Sequence, residues 1–289
     1  MNRIRNILDR LGEKLFPEVE VGKRRRLIIQ ILAGLILVLF SITGTAAYKH
    51  WEAGQMRKFQ DILKMNKVIS QLPESYAEKE RTKEEDEMSE TEEKEETVIA
   101  AYNWDSLLKI NGDIKGWLYI PDTTIDLPVA GAADNDYYLS HNFYKEKSSL
   151  GCPFMDKDTQ EWDFNKVIYA HNMGKTSTAM FSTLLDYKEE DYFMEHRTVY
   201  YTEVFGSTTA YQVMAVVRYD VKDTGEWDFR TRNHEDMESY NIWMEELQGR
   251  ALYYAEPDHA PVSILTLSTC DRSEVGKDGR LLVVAGKIV

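Results

Sequence analysis

Cysteine is scarce in this chain. Only Cys152 and Cys270 occur in 289 residues, too few for a disulfide framework and without the paired C-x-x-C or Cys/His spacing of a zinc site. Each therefore reads as a lone thiol. Basic charge is also in short supply: 35 Lys and Arg against 49 Asp and Glu leave a formal charge of −14. Beyond the N-terminus no basic patch could release counterions from a phosphate backbone, so no nucleic-acid partner is expected. What is present is a 43% apolar content, enough to build the core of one large domain or two ordinary ones. The acid is unevenly spread, because residues 78–96 (EKERTKEEDEMSETEEKEE) hold eleven carboxylates against four cations. With almost nothing to bury, that run is expected to be a solvated spacer or an unpacked helix.

Residues 27–47 (LIIQILAGLILVLFSITGTAA) carry no charge for twenty-one positions, which matches the ~20 residues a helix needs to cross a ~30 Å hydrocarbon layer. Lys23, Arg24, Arg25 and Arg26 precede the run, with Arg3, Arg5, Arg10 and Lys14 further upstream. By the positive-inside rule these hold the N-terminus in the cytoplasm and place everything after Ala47 outside. A cleaved signal peptide is the alternative, since Thr45, Ala46 and Ala47 supply small residues, but the apolar run is long and its leader extended. After the span, Phe59, Ile62, Leu63, Ile69 and Leu72 recur at helical spacing and predict an amphipathic juxtamembrane helix. The expected division is a basic segment 1–26, a transmembrane helix 27–47, a juxtamembrane helix and acidic linker 48–100, and a folded domain 101–289.

Within 101–289 the texture is of short apolar stretches cut by turn residues. A short helix is expected over Trp104–Ile110, and strand-like runs over 116–121, 124–130, 165–170, 197–204, 208–220, 261–269 and 280–288. Their β-branched and aromatic content fits a sheet-rich barrel or sandwich. Helical texture interrupts them at 179–187 and about 235–254, where Met237, Tyr240, Trp243, Met244, Leu247 and Leu252 form an apolar stripe suited to packing on a barrel.

Chemistry concentrates at the ends of these runs. Cys270 closes the apolar Val262–Thr269 stretch and opens onto the polar segment 271–279, so its thiol is half supported and half open. A buried structural thiol is the competing reading. Arg280 starts the last strand ten positions later. If the final two strands pair antiparallel, the end of one adjoins the start of the next at ~4.8 Å spacing. A guanidinium there favours the thiolate and can donate to an oxyanion; otherwise it is a surface arginine at a strand edge. His171 ends the run Val167–Ala170, and imidazole carries a proton near neutral pH as amine expulsion requires. His50 is juxtamembrane, His196 and His234 lie in charged surface-like stretches, His259 in a loop and His141 in a polar turn region, contexts that suit the role less well.

In combination these residues become specific. TLSTC at Thr266–Cys270, followed by Arg280 and preceded by YAHNM around His171, resembles the His–Cys–Arg arrangement of sortases. NGDIKGWLYIPDTTIDLPV, DNDYYLSHNF and GCPFMD between Asn111 and Asp156 resemble the class B branch, as does a helix inserted before the cysteine strand. The resemblance spans about 101–289 and implies a mainly β fold: a closed eight-stranded β-barrel with peripheral helices. It implies Cys270 as nucleophile, His171 as general acid/base and Arg280 as oxyanion or carbonyl stabiliser. Asn135, Tyr169, Ser268 and Thr269 match positions lining the family's substrate groove. Two positions depart from the pattern: Ala170 stands where glycine is frequent, and Cys152 where serine is frequent, the latter read as a small packed residue. The implied activity is cysteine transpeptidation at the outer face of a Gram-positive membrane, with no cofactor. Cleavage would follow threonine in a C-terminal sorting motif of secreted proteins, and a peptidoglycan precursor or a protein amine would accept the acyl group. A cell-wall cysteine peptidase and a non-catalytic membrane-tethered scaffold remain as alternatives.

Overall fold

The computed structural model of the chain describes residues 2–66, 102–174, 176–222, 225, 227–273 and 276–287. It divides into two compact units, Met1–Arg57 and Lys58–Val289. The first contains helix α1 (Asn2–Leu15) and the start of helix α2 (Val21–Asn66). Within α2 the segment Lys23–Trp51 is long and apolar enough to cross a membrane. The helix runs on unbroken to Asn66, so Phe59, Ile62 and Leu63 belong to the same helix as the apolar run. Ile69, Leu72 and the acidic run 78–96 lie outside the described residues.

In the second unit, α3 (Trp104–Ile110) starts where the Asn103 side chain accepts a hydrogen bond from the backbone N–H of Ser106. Strands β1 (Ile114–Tyr119), β2 (Asp126–Ala130), β3 (Phe154–Met155), β4 (Asn165–Tyr169), β5 (Thr198–Glu203), β6 (Thr208–Asp220), β7 (Ala251–Tyr254), β8 (Ile264–Cys270) and β9 (Gly279–Lys287) follow. They form one sheet in the order β5-β1-β2-β3-β4-β8-β9-β6-β7, and an additional β5–β6 pairing closes eight of them into a barrel. β7 lies outside the ring on the edge of β6. The length of β6 allows this: its start pairs with β5, its later part pairs with β7, and its other edge pairs with β9 from Tyr211 to Asp220, with a register shift between Val213 and Ala215.

Two strands were not anticipated. β3 has only two residues, too short to show an alternation. β7 was read as the end of the helix over 235–254, because Leu252 continues the apolar stripe; α4 (Glu190–Glu195) is a short helix, and the long helix α5 (Met237–Arg250) stops before Ala251. The Asp236 side chain caps α5 in a reciprocal pair with Ser239. Trp243 and Leu247 then pack with Trp227, Phe229, Val167, Val217 and Leu282 on the outer face of the sheet. The helical texture at 179–187 resolves into a 3-10 helix, Ser182–Lys188.

Candidate active site

Strand pairing sets the position of the thiol. β8 and β9 are antiparallel neighbours with Cys270 directly opposite Arg280. On its other edge β8 runs parallel to β4, with Tyr169 opposite Ser268. Beyond that register the chain after β4 stays attached to β8. The Ala170 N–H donates to Ser268 O at 3.3 Å, the Thr269 hydroxyl to Ala170 O at 2.8 Å, and Asn172 Nδ2 to Cys270 O at 2.9 Å. Carrying the register forward puts His171 level with Cys270, so the end of β8 is flanked by an imidazole just beyond β4 and a guanidinium on β9. His171, Cys270 and Arg280 line one cavity of about 300 Å³.

Each of the three is constrained further. His171 Nε2 donates to Leu139 O at 2.7 Å; a carbonyl can only accept, so the proton is on Nε2 and Nδ1 is the nitrogen left for chemistry. Gly151 lies against the same ring at φ +65, where an added Cβ would stand 3.2 Å from His171 Cδ2 and 2.4 Å from Tyr138 O. A side chain there would collide with the Tyr138 carbonyl and press on the imidazole, and the left-handed backbone favours glycine as well. Arg280 is half-buried and donates from Nη1 to Gly279 O at 2.9 Å. The backbone N–H following the thiol, on Asp271, donates to Gly279 O at 3.1 Å. That amide is often an oxyanion donor after a catalytic nucleophile, and here the hairpin uses it. The Asp271 carboxylate pairs with Lys188 at 3.0 Å and accepts from the Ser273 hydroxyl at 2.6 Å. Burial alone would raise its pKa, but the hydrogen bonds from Ser273 and Lys188 outweigh that and hold it below the usual carboxylate value.

Asn135, Tyr169, Ser268 and Thr269 line the same cavity, though their roles differ. The Tyr169 hydroxyl and Asn135 Nδ2 both donate to Asp156 Oδ2, at 2.9 and 3.0 Å, and burial followed by that carboxylate pushes the Tyr169 phenol up. Asp156 thus orients both residues from behind, a function its place in the GCPFMD stretch did not reveal. Thr269 has its hydroxyl committed to Ala170 O and ties β8 to the chain after β4. The Ser268 hydroxyl is buried with no protein hydrogen-bond partner among the described residues. Ala170 is buried with its backbone in an ordinary conformation, so the alanine in place of glycine strains nothing. Cys152 is free and buried, its Sγ 3.9 Å from Pro128 O, and burial pushes its thiol up.

Sequence reasoning missed the far wall, where Tyr219, Phe229 and Arg230 face the cavity. Arg230 forms two hydrogen bonds with Asp228, Nε to Oδ1 at 2.8 Å and Nη2 to Oδ2 at 3.0 Å. Asn165, fully buried, holds this wall to the barrel. Its Nδ2 donates to Phe229 O at 2.8 Å and Thr231 O at 3.0 Å, its Oδ1 accepts from Thr266 at 2.9 Å, and its N–H donates to Arg232 O at 3.0 Å. Polar residues at alternate positions of β8 were the available signal: a buried Thr beside the buried Asn165 requires partners.

The chemistry this arrangement allows is nucleophilic attack by a thiol with a neighbouring proton carrier and a fixed cation. Comparison with known proteins agrees. A family model described as "Sortase domain" matches residues 118–288. Sortase B of Listeria monocytogenes is 34% identical over 186 residues, covering 63% of this chain and 72% of that protein. The crystal structure of Clostridium perfringens sortase B aligns with a TM-score of 0.58 at 31% identity, covering 64% of this chain and 99% of that one. A Staphylococcus aureus sortase B–substrate complex aligns with a TM-score of 0.57 at 27% identity, covering 64% and 84%.

Proposed function

The chain belongs to the sortase family, whose members are cysteine transpeptidases, and from that premise we propose that Cys270 is its nucleophile, His171 its general acid/base and Arg280 its oxyanion donor. The observation that carries the assignment is the placement of Cys270 at the end of β8, opposite Arg280 and level with His171, on one cavity.

The Cys270 thiolate attacks the carbonyl carbon of a threonine in a sorting motif, forming a C–S bond and an oxyanion that the Arg280 guanidinium meets. The C–N bond then breaks, and the departing amine takes a proton from imidazolium His171, leaving a thioester. An incoming amine attacks the thioester, gives its proton back to His171, and expels the Cys270 thiolate. With Nε2 held by Leu139 O, proton exchange falls to Nδ1. The hairpin's use of the Asp271 amide leaves Arg280 as the main source of positive charge for the oxyanion. Asn135 and Tyr169, oriented by Asp156, and the buried Ser268 hydroxyl bind the peptide, while Thr269 supports the strand behind it.

The acyl acceptor is a cell-wall peptide amine or an amine of another protein. The span Lys23–Trp51 anchors the enzyme, the basic residues at its start and ahead of it keep the N-terminus in the cytoplasm, and the barrel works outside, where secreted substrates emerge. Incubating the protein with a library of threonine-containing sorting peptides, with and without an added amine, tests this reading. The expected result is cleavage after threonine, with ligated product replacing hydrolysed product as amine is added. Hydrolysis unaffected by any amine would point to a peptidase, and no cleavage of any peptide would remove the catalytic reading.

A further inference from the structure

The acyl transfer makes no use of α1, yet this helix has a marked pattern. Ile7, Leu8, Leu11 and Leu15 follow helical spacing on one face, Arg10 and Lys14 fall along its flank, and Glu13 lies on the far side. Ile7, Leu11 and Leu15 are exposed and Leu8 is half-buried, so most of the stripe is left uncovered by the described residues. α1 comes close to α2 at Gly12, where a Cβ would stand 3.0 Å from Arg24 Cβ and 3.3 Å from Ile28 Cδ1. From Ile29 to His50 the residues of α2 are exposed, so α1 leaves α2 at its second turn and does not run along the apolar segment.

The link between the helices is ordered. The Phe16 N–H donates to Gly12 O at 2.9 Å and the Val19 N–H to Phe16 O at 3.1 Å, while the Arg24 guanidinium donates to Val19 O and Pro17 O. The apolar stripe is thereby held at the level where the membrane-crossing segment begins, at Lys23. Residues 1–26 contain eight Lys and Arg against four Asp and Glu, in a chain whose net charge is −14.

We infer that α1 lies in the headgroup layer at the Lys23 end of α2, its leucine and isoleucine face in the acyl boundary, and that it binds an anionic lipid surface. The inference rests on α2 crossing the bilayer. An apolar helix face beside a membrane span is buried most readily in the adjoining interface. Flanking Arg10 and Lys14 reach lipid phosphates there while Glu13 points to water, and each basic residue near an anionic surface adds to the attraction. The enzyme thus has a second hold on the membrane, sensitive to lipid charge, at the opposite end of α2 from its catalytic domain in the chain.

Nitroxide labels on the full chain test this, with Cys270→Ser removing the reactive thiol and Leu11→Cys, Glu13→Cys or Leu37→Cys supplying the site. The protein is reconstituted in phosphatidylcholine vesicles with or without phosphatidylglycerol, and collision with oxygen is compared with collision with a water-soluble nickel chelate. In anionic vesicles the Leu11 label should be shielded from the chelate nearly as well as the Leu37 label, with the Glu13 label open. Omitting phosphatidylglycerol, or making Arg10→Glu with Lys14→Glu, should raise chelate access at Leu11 several-fold. Equal access at Leu11 and Glu13 with Leu37 shielded would overturn the inference while leaving the span intact. An open Leu37 would overturn the span reading and the inference with it. Shielding at Leu11 that ignores lipid charge and comes with label–label broadening would assign the stripe to a second copy of the chain, which also overturns it.

Discussion

On one side of the cleft Cys270 and Arg280 face each other in a continuous antiparallel ladder; on the other, Phe229 and Arg230 ride on a loop that Asn165 and Asn233 fasten to β4 through side-chain hydrogen bonds. The first arrangement draws on many backbone hydrogen bonds and tolerates little movement. The second depends on a few buried polar atoms, each costly to leave unpaired. Cys270 and Arg280 are thus held by paired strands, whereas Phe229 and Arg230 on the far wall are held by a loop. Substitutions on the ladder side should therefore lower kcat, and those on the pinned wall should raise KM.

The largest effect is expected for Cys270→Ala, which should reduce turnover by about a thousandfold or more, since no other described thiol can substitute for it. Cys152 is buried against Pro128. Steady-state cleavage of a sorting peptide would show it, and retained turnover would end the distinction between the two sides. Arg280→Ala comes next, with kcat lowered roughly 10²- to 10³-fold, as for loss of an oxyanion donor. Because Arg280 is only half-buried, its melting temperature should stay close to that of the parent. A loss expressed entirely in KM would move the guanidinium from chemistry to binding.

Asn165→Asp sharpens the comparison from the wall side. The replacement is nearly isosteric and keeps the acceptor for Thr266, but it cannot donate to both Phe229 O and Thr231 O: a carboxylate has no donor and a protonated carboxyl only one. The cost should be about 1–3 kcal/mol of stability, with KM raised several-fold and kcat little changed. A fall in kcat matching that of Arg280→Ala would contradict the division of labour. The smallest effect concerns the Asp271 carboxyl, held below the usual carboxylate value by Ser273 and Lys188 against the burial that would raise it. A depressed carboxylate pKa contributes stability that is complete above the unfolded value and lost as pH falls through the folded value. Asp271→Asn should lower stability at neutral pH and narrow its gap from the parent as the pH drops below about 4, measured by denaturant midpoints. A gap independent of pH would exclude the ion pair as its source.

Part of this architecture was legible from residue order. Cys270 and Arg280 end and begin consecutive strand-like runs, so their pairing follows once the hairpin is assumed, and β4, β6, β8 and β9 lie close to their expected limits. His171 is different. Its place beside Cys270 needs β4 and β8 to be parallel neighbours across about a hundred residues, and no local periodicity encodes that pairing; the family resemblance supplied it. β3 is shorter than any alternation pattern, and β7 was hidden because Leu252 extends the stripe of the preceding helix. Asp156, Asn165 and the Leu139 carbonyl escaped notice for a common reason. A buried polar anchor looks in sequence like any exposed polar residue, and a backbone acceptor has no sequence signature at all.

The central claim is that acyl transfer passes through the sulfur at the end of β8. Intact-mass and peptide mass spectrometry of the protein, quenched in acid while turning over a sorting peptide without added amine, tests it most directly. The account predicts an acyl group ending in threonine, bound as a thioester to Cys270 and released by an amine. An adduct on Cys152, or none on Cys270 under conditions of continued cleavage, would contradict it.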